Sequence, residues 1–163
     1  MNNKIKLIFA GILIFLVALY FVNKYRVAPS VDLNQLPLFT LTGDKVNWQD
    51  YKGKKLVVSF GASWCGNCKE ELREIKKIKS EKLSDVEIVV ISDEPVEKIE
   101  RFASAYEDFT FLKLNLDFPS IGINSIPVSY IINTKLEVKE NQVGYINWAD
   151  ASTVEHLRSL MNQ

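Results

Sequence analysis

Cysteine and histidine are scarce in this chain, and their scarcity excludes most metal sites. The 163 residues contain two cysteines, Cys65 and Cys68, and a single histidine, His156. A structural zinc site takes four ligands, mostly cysteine and histidine. Covalent haem attachment needs a histidine directly after the second cysteine, where this chain has Lys69. The sequence therefore predicts neither a zinc site nor a haem, and no other resident metal.

A surplus of charge of either sign is also missing. Lysine plus arginine and aspartate plus glutamate number 20 each, and the formal net charge at pH 7 is zero. Domains that bind nucleic acid carry a basic face, so nucleic acid is not an expected partner. The length leaves room for one domain of ordinary size and a short appendage.

One long apolar run stands near the amino end of the printed sequence. Residues 5–22 are apolar except for Lys6, and Lys24 and Arg26 close the run. The uncharged part is slightly shorter than the roughly 20 residues that span a bilayer, but flanking lysines snorkel towards the interface and extend it. We predict an uncleaved signal anchor, a single-pass transmembrane helix over residues 1–26.

Two alternatives to the anchor are a cleaved signal peptide and a buried core helix. Arg26 stands where a cleavage site needs a small residue, and no cysteine directly follows the run, as a lipoprotein anchor requires. Positive charges flank both sides, and the α-amino group tips the balance towards a cytoplasmic amino terminus. The expected location of the remaining chain is therefore outside the cytoplasm, on the periplasmic or outer face.

The rest of the chain reads as a tether, residues 27–35, followed by a soluble domain, residues 36–163. Strands are predicted by short, apolar, β-branched segments and helices by apolar residues at helical spacing. The domain opens with a hairpin turning at residues 42–44, followed by strands at 56–60, 86–92, 109–115, 127–133 and 136–144 and helices at 65–79, 95–106 and 148–162. This order predicts an α/β fold with a mixed sheet covered by helices on both faces.

The two cysteines lie where a buried strand runs into a helix. Unpaired N–H groups and the dipole at a helix amino end stabilise a thiolate on Cys65, and Cys68 lies one turn further on. A disulfide that closes so short a loop constrains the unfolded chain very little, so a purely structural role is unconvincing. We predict a redox pair with Cys65 as nucleophile and Cys68 as resolving thiol. Trp64 either shields the pair and contacts substrate or is a partly buried packing aromatic.

The segment "SWCGNCKEE" resembles the W-C-G-x-C active site of the thioredoxin superfamily. "GINSIPVSYIIN" resembles the segment whose cis-proline faces the cysteines, so Pro127 matches that proline and Ile126 the residue before it. Gly144 in "QVGY" matches the glycine that borders the substrate groove. The resemblance implies a thioredoxin-like fold, protein disulfides or thiols as substrates, and a backbone at Ile126 that pairs with an extended peptide.

The apolar run and the stretch "GDKVNWQDYKGKKLVVSF" further resemble the membrane-tethered TlpA/ResA-like branch. Members of that branch are thiol-disulfide oxidoreductases that work outside the cytoplasm, often as reductants in cytochrome c maturation. The resemblance implies electrons from a membrane thiol carrier and no metal or organic cofactor. Ile126 stands where many members carry threonine, which leaves the subfamily and the substrate open.

Several positions depart from plain thioredoxin. Gly66 and Asn67 lie between the cysteines, and Asn67 replaces a proline; its N–H is expected to stabilise the thiolate and make the disulfide more oxidising. Ser59 replaces a buried aspartate that is thought to help deprotonate the second thiol. Glu71 shares a helix face with Cys68 and matches the glutamate of ResA-like proteins. It is either a proton shuttle with a raised pKa or a solvated helix charge.

Two alternative functions use the same cysteines. A thiol peroxidase of the peroxiredoxin branch expects threonine three residues before the attacking cysteine, and this chain has Ala62 there. A Cu(I) carrier would use the two soft thiolates, but no methionine or histidine lies near them in sequence. The favoured prediction is a membrane-tethered, extracytoplasmic thiol-disulfide oxidoreductase that reduces protein disulfides.

Overall fold

The computed structural model describes residues 3–26, 29 and 31–163, with side chains in the first helix described from residue 8 to residue 22. The helices are α1 Asn3–Arg26, α2 Gly66–Lys82, α3 Val96–Ala103 and α4 Ala151–Met161. The strands are β1 Leu38–Phe39, β2 Lys55–Phe60, β3 Val86–Ser92, β4 Thr110–Leu114, β5 Val128–Ile132 and β6 Val138–Val143. The predicted strands and helices of the domain are confirmed within a few residues, apart from the hairpin.

The six strands form one mixed sheet in the order β1-β4-β3-β2-β5-β6. β2, β3 and β4 are parallel neighbours, and β1, β5 and β6 join antiparallel. The central strands β2 and β3 are buried on both sides, which is why they read as continuous apolar segments. The carboxyl end of β2 therefore delivers the chain to α2 at the middle of the sheet.

The two faces of the sheet are covered differently. On one face, Val57, Ile88 and Ile131 pack against the apolar sides of α2, α3 and α4. On the other face, Val58 and Tyr130 pack against short 3-10 turns and the segment before β2. The prediction of helices on both faces is therefore wrong for the second face: among the described residues, α2, α3 and α4 cover the first face, and the second is covered by 3-10 turns. Two parallel crossovers, β2 to β3 and β3 to β4, run in the same direction and place α2 and α3 together.

The predicted leading hairpin forms only in part. Its turn at residues 42–44 is present, and its first arm becomes β1, which pairs with β4. The second arm contributes a single bridge, Lys45 with Phe39. Asn47 then accepts a backbone hydrogen bond and caps a 3-10 turn over Trp48–Tyr51. The prediction of a second strand is wrong because Asn47 ends the extended backbone, and Trp48 turns into the core instead.

The predicted anchor and tether fall partly on residues outside the described part of the structure. Met1, Asn2, and residues 27, 28 and 30 are among them. α1 covers the remaining part of the predicted anchor, and its side chains from residue 8 to 22 are exposed. Over the part of the chain that is described, no helix combines the length and the apolar character needed to cross a membrane.

Candidate active site

The two cysteines are joined at the amino end of α2. β2 ends at Phe60, and four loop residues lead to Cys65, whose extended backbone makes it the N-cap of the helix. Cys65 and Cys68 form a disulfide, and the backbone N–H of Cys68 donates to Cys65 Sγ at 3.1 Å. A sulfur that caps a helix lies at the positive end of the helix dipole and accepts a hydrogen bond from a backbone N–H. This is the environment that favours a thiolate once the disulfide is reduced.

The predicted proline segment lies against the disulfide. The peptide bond between Ile126 and Pro127 is cis, and the carbonyl oxygen of Ile126 lies 3.9 Å from Cys65 Sγ. Gly144 donates its N–H to the carbonyl of Pro127 at 2.8 Å and has a φ of 89°, in the left-handed region where glycine is favoured. Two segments predicted separately from the sequence therefore meet here: Ile126 lies beside Cys65, and Gly144 supports Pro127.

Trp64 is exposed to 69% of its surface, so the alternative of a packing aromatic is wrong. The ring borders a largely apolar cleft of about 400 Å³ to which Phe118, Ile123 and Ile126 also contribute. An exposed tryptophan beside a reactive sulfur offers a flat apolar contact surface to a partner.

Glu71 is completely buried, so the alternative of a solvated helix charge is wrong. Its carboxylate accepts hydrogen bonds from the hydroxyl of Ser129 at 2.7 Å and from the backbone N–H of Ile146 at 3.0 Å. Burial raises the pKa of Glu71 to about 7, although these hydrogen bonds pull it in the opposite direction. The carboxyl group is therefore able to take up and release a proton near neutral pH.

Ser129 links Glu71 to Ser59, and sequence reasoning missed it. The two serines are register partners on β5 and β2, and the hydroxyl of Ser129 lies 3.4 Å from that of Ser59. The carboxylate of Glu71 thus reaches towards the position where the resemblance places a buried aspartate. A signal was available, because a serine interrupts each of the apolar segments "LVVSF" and "VSYII".

Glu94 is a second functional candidate that sequence reasoning missed. It lies in the "DEPVE" stretch, which reads as a surface loop, yet only 7% of its surface is exposed. Its carboxylate accepts hydrogen bonds from the backbone N–H of Ser63, at 2.5 Å, and from the Ser63 hydroxyl, at 2.8 Å. Glu94 therefore holds the loop that carries Trp64 and Cys65. Nothing local in the sequence marks this contact, because the two partners are 31 residues apart.

The residues between the cysteines are exposed. Among the residues described, the hydrogen bond to Cys65 Sγ comes from Cys68 and not from Asn67, so the proposed effect of Asn67 stays a prediction. The only histidine, His156, lies on α4 and contacts Glu140 at 2.9 Å, far along the chain from the disulfide.

Comparisons with known proteins agree with this geometry. The model of the Redoxin family matches residues 26–157. The thioredoxin-like protein YneN of Bacillus subtilis is 32% identical over 113 residues, 66% of each chain. The thiol-disulfide oxidoreductase ResA of Geobacillus kaustophilus is 25% identical over 154 residues, 86% of this chain and 83% of the relative.

A solved structure shows the same fold. The crystal structure of a thiol:disulfide interchange protein of the thioredoxin family from Chlorobium tepidum superposes with a TM-score of 0.59 at 21% identity. The match covers 80% of this chain and 97% of that one. The mixed sheet and its helices are therefore a thioredoxin-like arrangement.

Proposed function

The chain belongs to the Redoxin family and is a thiol-disulfide oxidoreductase with a C-x-x-C pair, and from that premise we propose that it reduces protein disulfides outside the cytoplasm. The observation that carries the proposal is the Cys65–Cys68 disulfide at the amino end of α2, beside the carbonyl of Ile126. The disulfide is the oxidised form that such an enzyme reaches at the end of a turnover.

The first chemical step is attack by the Cys65 thiolate on one sulfur of a substrate disulfide. The substrate S–S bond breaks, a mixed disulfide forms on Cys65, and the first substrate sulfur leaves as a thiolate that takes a proton from solvent. The helix dipole and the N–H of Cys68 stabilise the attacking thiolate. The cysteine in the N-cap position is therefore the nucleophile.

The second step releases the substrate. Cys68 loses its proton and attacks the Cys65 sulfur, which restores the Cys65–Cys68 disulfide and expels the second substrate thiolate. Two electrons have then passed from the protein to the substrate. Cys68 is buried, and a carboxylate on the same helix face, Glu71, is the proposed base because its pKa lies at about 7.

Substrate contact is proposed for the residues around the cysteines. An extended peptide pairs with the backbone of Ile126, and Pro127 has no N–H that could compete for the sulfurs. Trp64 supplies an apolar surface, and Gly144 leaves the groove open since it carries no side chain. Gly66 and Asn67 adjust the stability of the thiolate.

Membrane attachment is part of the proposal. Large apolar side chains between residues 8 and 22 of α1 are 46% to 70% exposed, which is the exposure a lipid environment accommodates. We place the amino terminus in the cytoplasm and the domain on the outer face, where a membrane thiol carrier returns it to the dithiol form. Cytochrome c maturation is the proposed context, by analogy with ResA-like proteins.

Neither alternative function gains a supporting observation. Ala62 is buried and has no hydroxyl with which to assist a peroxide, as a thiol peroxidase of the peroxiredoxin branch requires. A Cu(I) carrier would bind through the two thiolates of the reduced pair, and the disulfide in the structure adds no support for it.

Trapping of the mixed disulfide tests the proposed function. The full chain in neutral detergent is reduced and mixed with insulin, whose disulfides serve as the probe. Cys68→Ser is expected to accumulate a covalent complex through Cys65, and Cys65→Ser none. Wild-type protein is expected to release reduced insulin chains. A complex that forms equally with Cys65→Ser, or no reduction by the wild type, would rule the proposal out.

A further inference from the structure

A second cleft, of about 570 Å³, lies beside the disulfide and shares Trp64 with the apolar cleft. Four basic side chains line it, two from α2 and two from α3. We call it the cationic cleft and define it by Trp64, Lys69, Arg73, Lys98, Arg101 and Tyr106. The overall balance of charge in the sequence conceals this local cluster.

Among the described residues, three of the four cations have no acidic partner. In the part of the chain that the structure describes, no ion pair joins Lys69, Lys98 or Arg101 to a carboxylate. Arg73 pairs with Glu70 at 2.6 Å on the open surface, where such pairs contribute little. Like charges held together in this way repel one another, and an anionic ligand relieves that repulsion.

One carboxylate, that of Glu94, also lines the cleft. Glu94 accepts both of its hydrogen bonds from Ser63, in the loop before Cys65. Hydrogen bonds from these neutral donors leave its negative charge in place, so the lining combines four cations with one carboxylate and carries a net positive charge. A cleft whose lining has a net charge of one sign concentrates the field and attracts ligands of the opposite sign.

The segment that follows α3 contacts α2 at the base of the cleft. The hydroxyl of Tyr106 donates to the carbonyl of Lys69 at 3.4 Å, and the ring of Phe102 meets that of Tyr106 edge-on at 5.6 Å. Tyr106 is buried. These contacts give the cleft an aromatic base, and the basic side chains line the same cleft.

We propose that the cationic cleft binds an acidic segment of the substrate polypeptide next to the disulfide that is reduced. The inference rests on the proposed function, because it takes the occupant to be the polypeptide that pairs with Ile126. Because Trp64 borders both clefts, a polypeptide that lies across its ring occupies the apolar cleft on one side and reaches Lys98 and Arg101 on the other. Its carboxylates then pair with the cations, and its apolar residues fill the opposite cleft.

Single-turnover kinetics with synthetic peptides test this specificity. Each peptide carries one central cysteine in a mixed disulfide with mercaptoethanol. Two peptides are glutamate-rich, one on the amino-terminal side of the cysteine and one on the carboxyl-terminal side. The other peptides have glutamine-rich or lysine-rich flanks. The prereduced full chain in neutral detergent is expected to release one of the two glutamate-rich peptides about tenfold faster than the glutamine-rich one at low salt. The preference is expected to shrink as salt is added.

Charge variants of the cleft separate this inference from the proposed function. In Lys98→Gln/Arg101→Gln the glutamate-rich rate is expected to fall to that of the glutamine-rich peptide. In Lys98→Glu/Arg101→Glu the preference is expected to turn towards the lysine-rich peptide, which a misfolded protein would not show. The matched control, Lys45→Gln/Lys52→Gln, removes two exposed charges that line neither of the two clefts and is expected to keep the preference.

The outcomes distinguish the two proposals. Reduction of all peptides at equal rates by wild-type protein would overturn the inference and leave the proposed function standing. A preference that survives unchanged in Lys98→Glu/Arg101→Glu would also overturn it. Failure to reduce any of the peptides would overturn the proposed function itself, and the inference with it.

Discussion

The carboxyl group of Glu71 lies wholly inside the protein, where ionisation costs free energy. Its pKa of about 7 means that it changes charge in the range where thiol exchange is usually studied. It neighbours Cys68 on the helix face, and Ser129 and the N–H of Ile146 hold its oxygens. At the scale of single residues, this group connects the fold to the chemistry.

Replacing Glu71 with glutamine is expected to slow the release step. In wild-type protein the rate at which Cys68 resolves a mixed disulfide should rise with pH through about 7, as the carboxylate forms. Glu71→Gln removes the base and should lower that rate at neutral pH by roughly 10²-fold, measured by stopped-flow resolution of a preformed mixed disulfide. Glu81→Gln, an exposed change on the same helix, serves as control. An identical pH profile in Glu71→Gln would show that Glu71 takes no part.

The same group should make stability depend on pH. Its pKa is about 7 in the folded state against 4.5 ordinarily, so the folded protein binds the proton more tightly. The resulting stabilisation is complete below about pH 4.5 and is lost as pH rises through about 7. The free energy involved is roughly 3 kcal/mol.

Urea unfolding of the oxidised protein tests this linkage. Glu71→Gln does not ionise, so it should resemble wild type at or below about pH 4.5 and exceed it by roughly 3 kcal/mol once the pH is above about 7. A difference between the two proteins that stays constant with pH would contradict the raised pKa of Glu71.

Glu94 is expected to stabilise the protein through the active-site loop. Glu94→Ala leaves the backbone N–H and the hydroxyl of Ser63 without their acceptor. The substitution should lower the free energy of unfolding by about 2 kcal/mol. Glu97→Ala, an exposed change three residues on, should be nearly neutral. Denaturant unfolding of both variants makes the comparison, and equal losses would argue against the loop contact.

At the scale of elements, the first turn of α2 is the part that adjusts the disulfide. Asn67→Pro removes one N–H from that turn and should favour the disulfide over the dithiol. The reduction potential should therefore become more negative, by about 30 mV for each 1.4 kcal/mol of lost thiolate stabilisation. Asn67→Ala keeps the N–H and should change the potential less. A potential in Asn67→Pro that is unchanged or higher would count against this role.

The elements also show how far the sequence determines the fold and the site. β2, β3, α2 and α4 follow from apolar segments and helical spacing, since such patterns report burial directly. The second arm of the hairpin did not form, because the capping preference of Asn47 outweighed alternation around Val46. α3 ends at Ala103, before the predicted residue 106, although Tyr106 still packs inward.

The site residues likewise fall into those that the sequence locates and those that it does not. Cys65, Cys68 and Pro127 carry local motifs and could be located from the sequence. Glu94 could not, because its role arises from a contact across 31 residues of chain. Ser129 is marked only as a serine within an apolar strand, and its partner Glu71 lies 58 residues away. The sequence alone also left open whether Glu71 is buried. Burial there depends on how β5 and the segment before α4 pack against α2.

In the molecule as a whole, several elements contribute residues around the one disulfide. α2 supplies Cys68 and Glu71, and its N-cap residue is Cys65. The loop after β3 supplies Glu94, and the turn before β5 supplies Ile126. The proposed anchor places this assembly at a membrane surface, within reach of a carrier that returns electrons to it. All of these parts serve reduction and oxidation equally, so the direction of electron flow depends on the energy of the disulfide.

The reduction potential of the Cys65–Cys68 pair tests the proposed direction most directly. It is measured by equilibrating the full chain in detergent with dithiothreitol or glutathione redox buffers and counting free thiols. The proposed role as a reductant predicts a value near that of thioredoxin, about −270 mV. A value approaching that of the oxidant DsbA, about −120 mV, would contradict it.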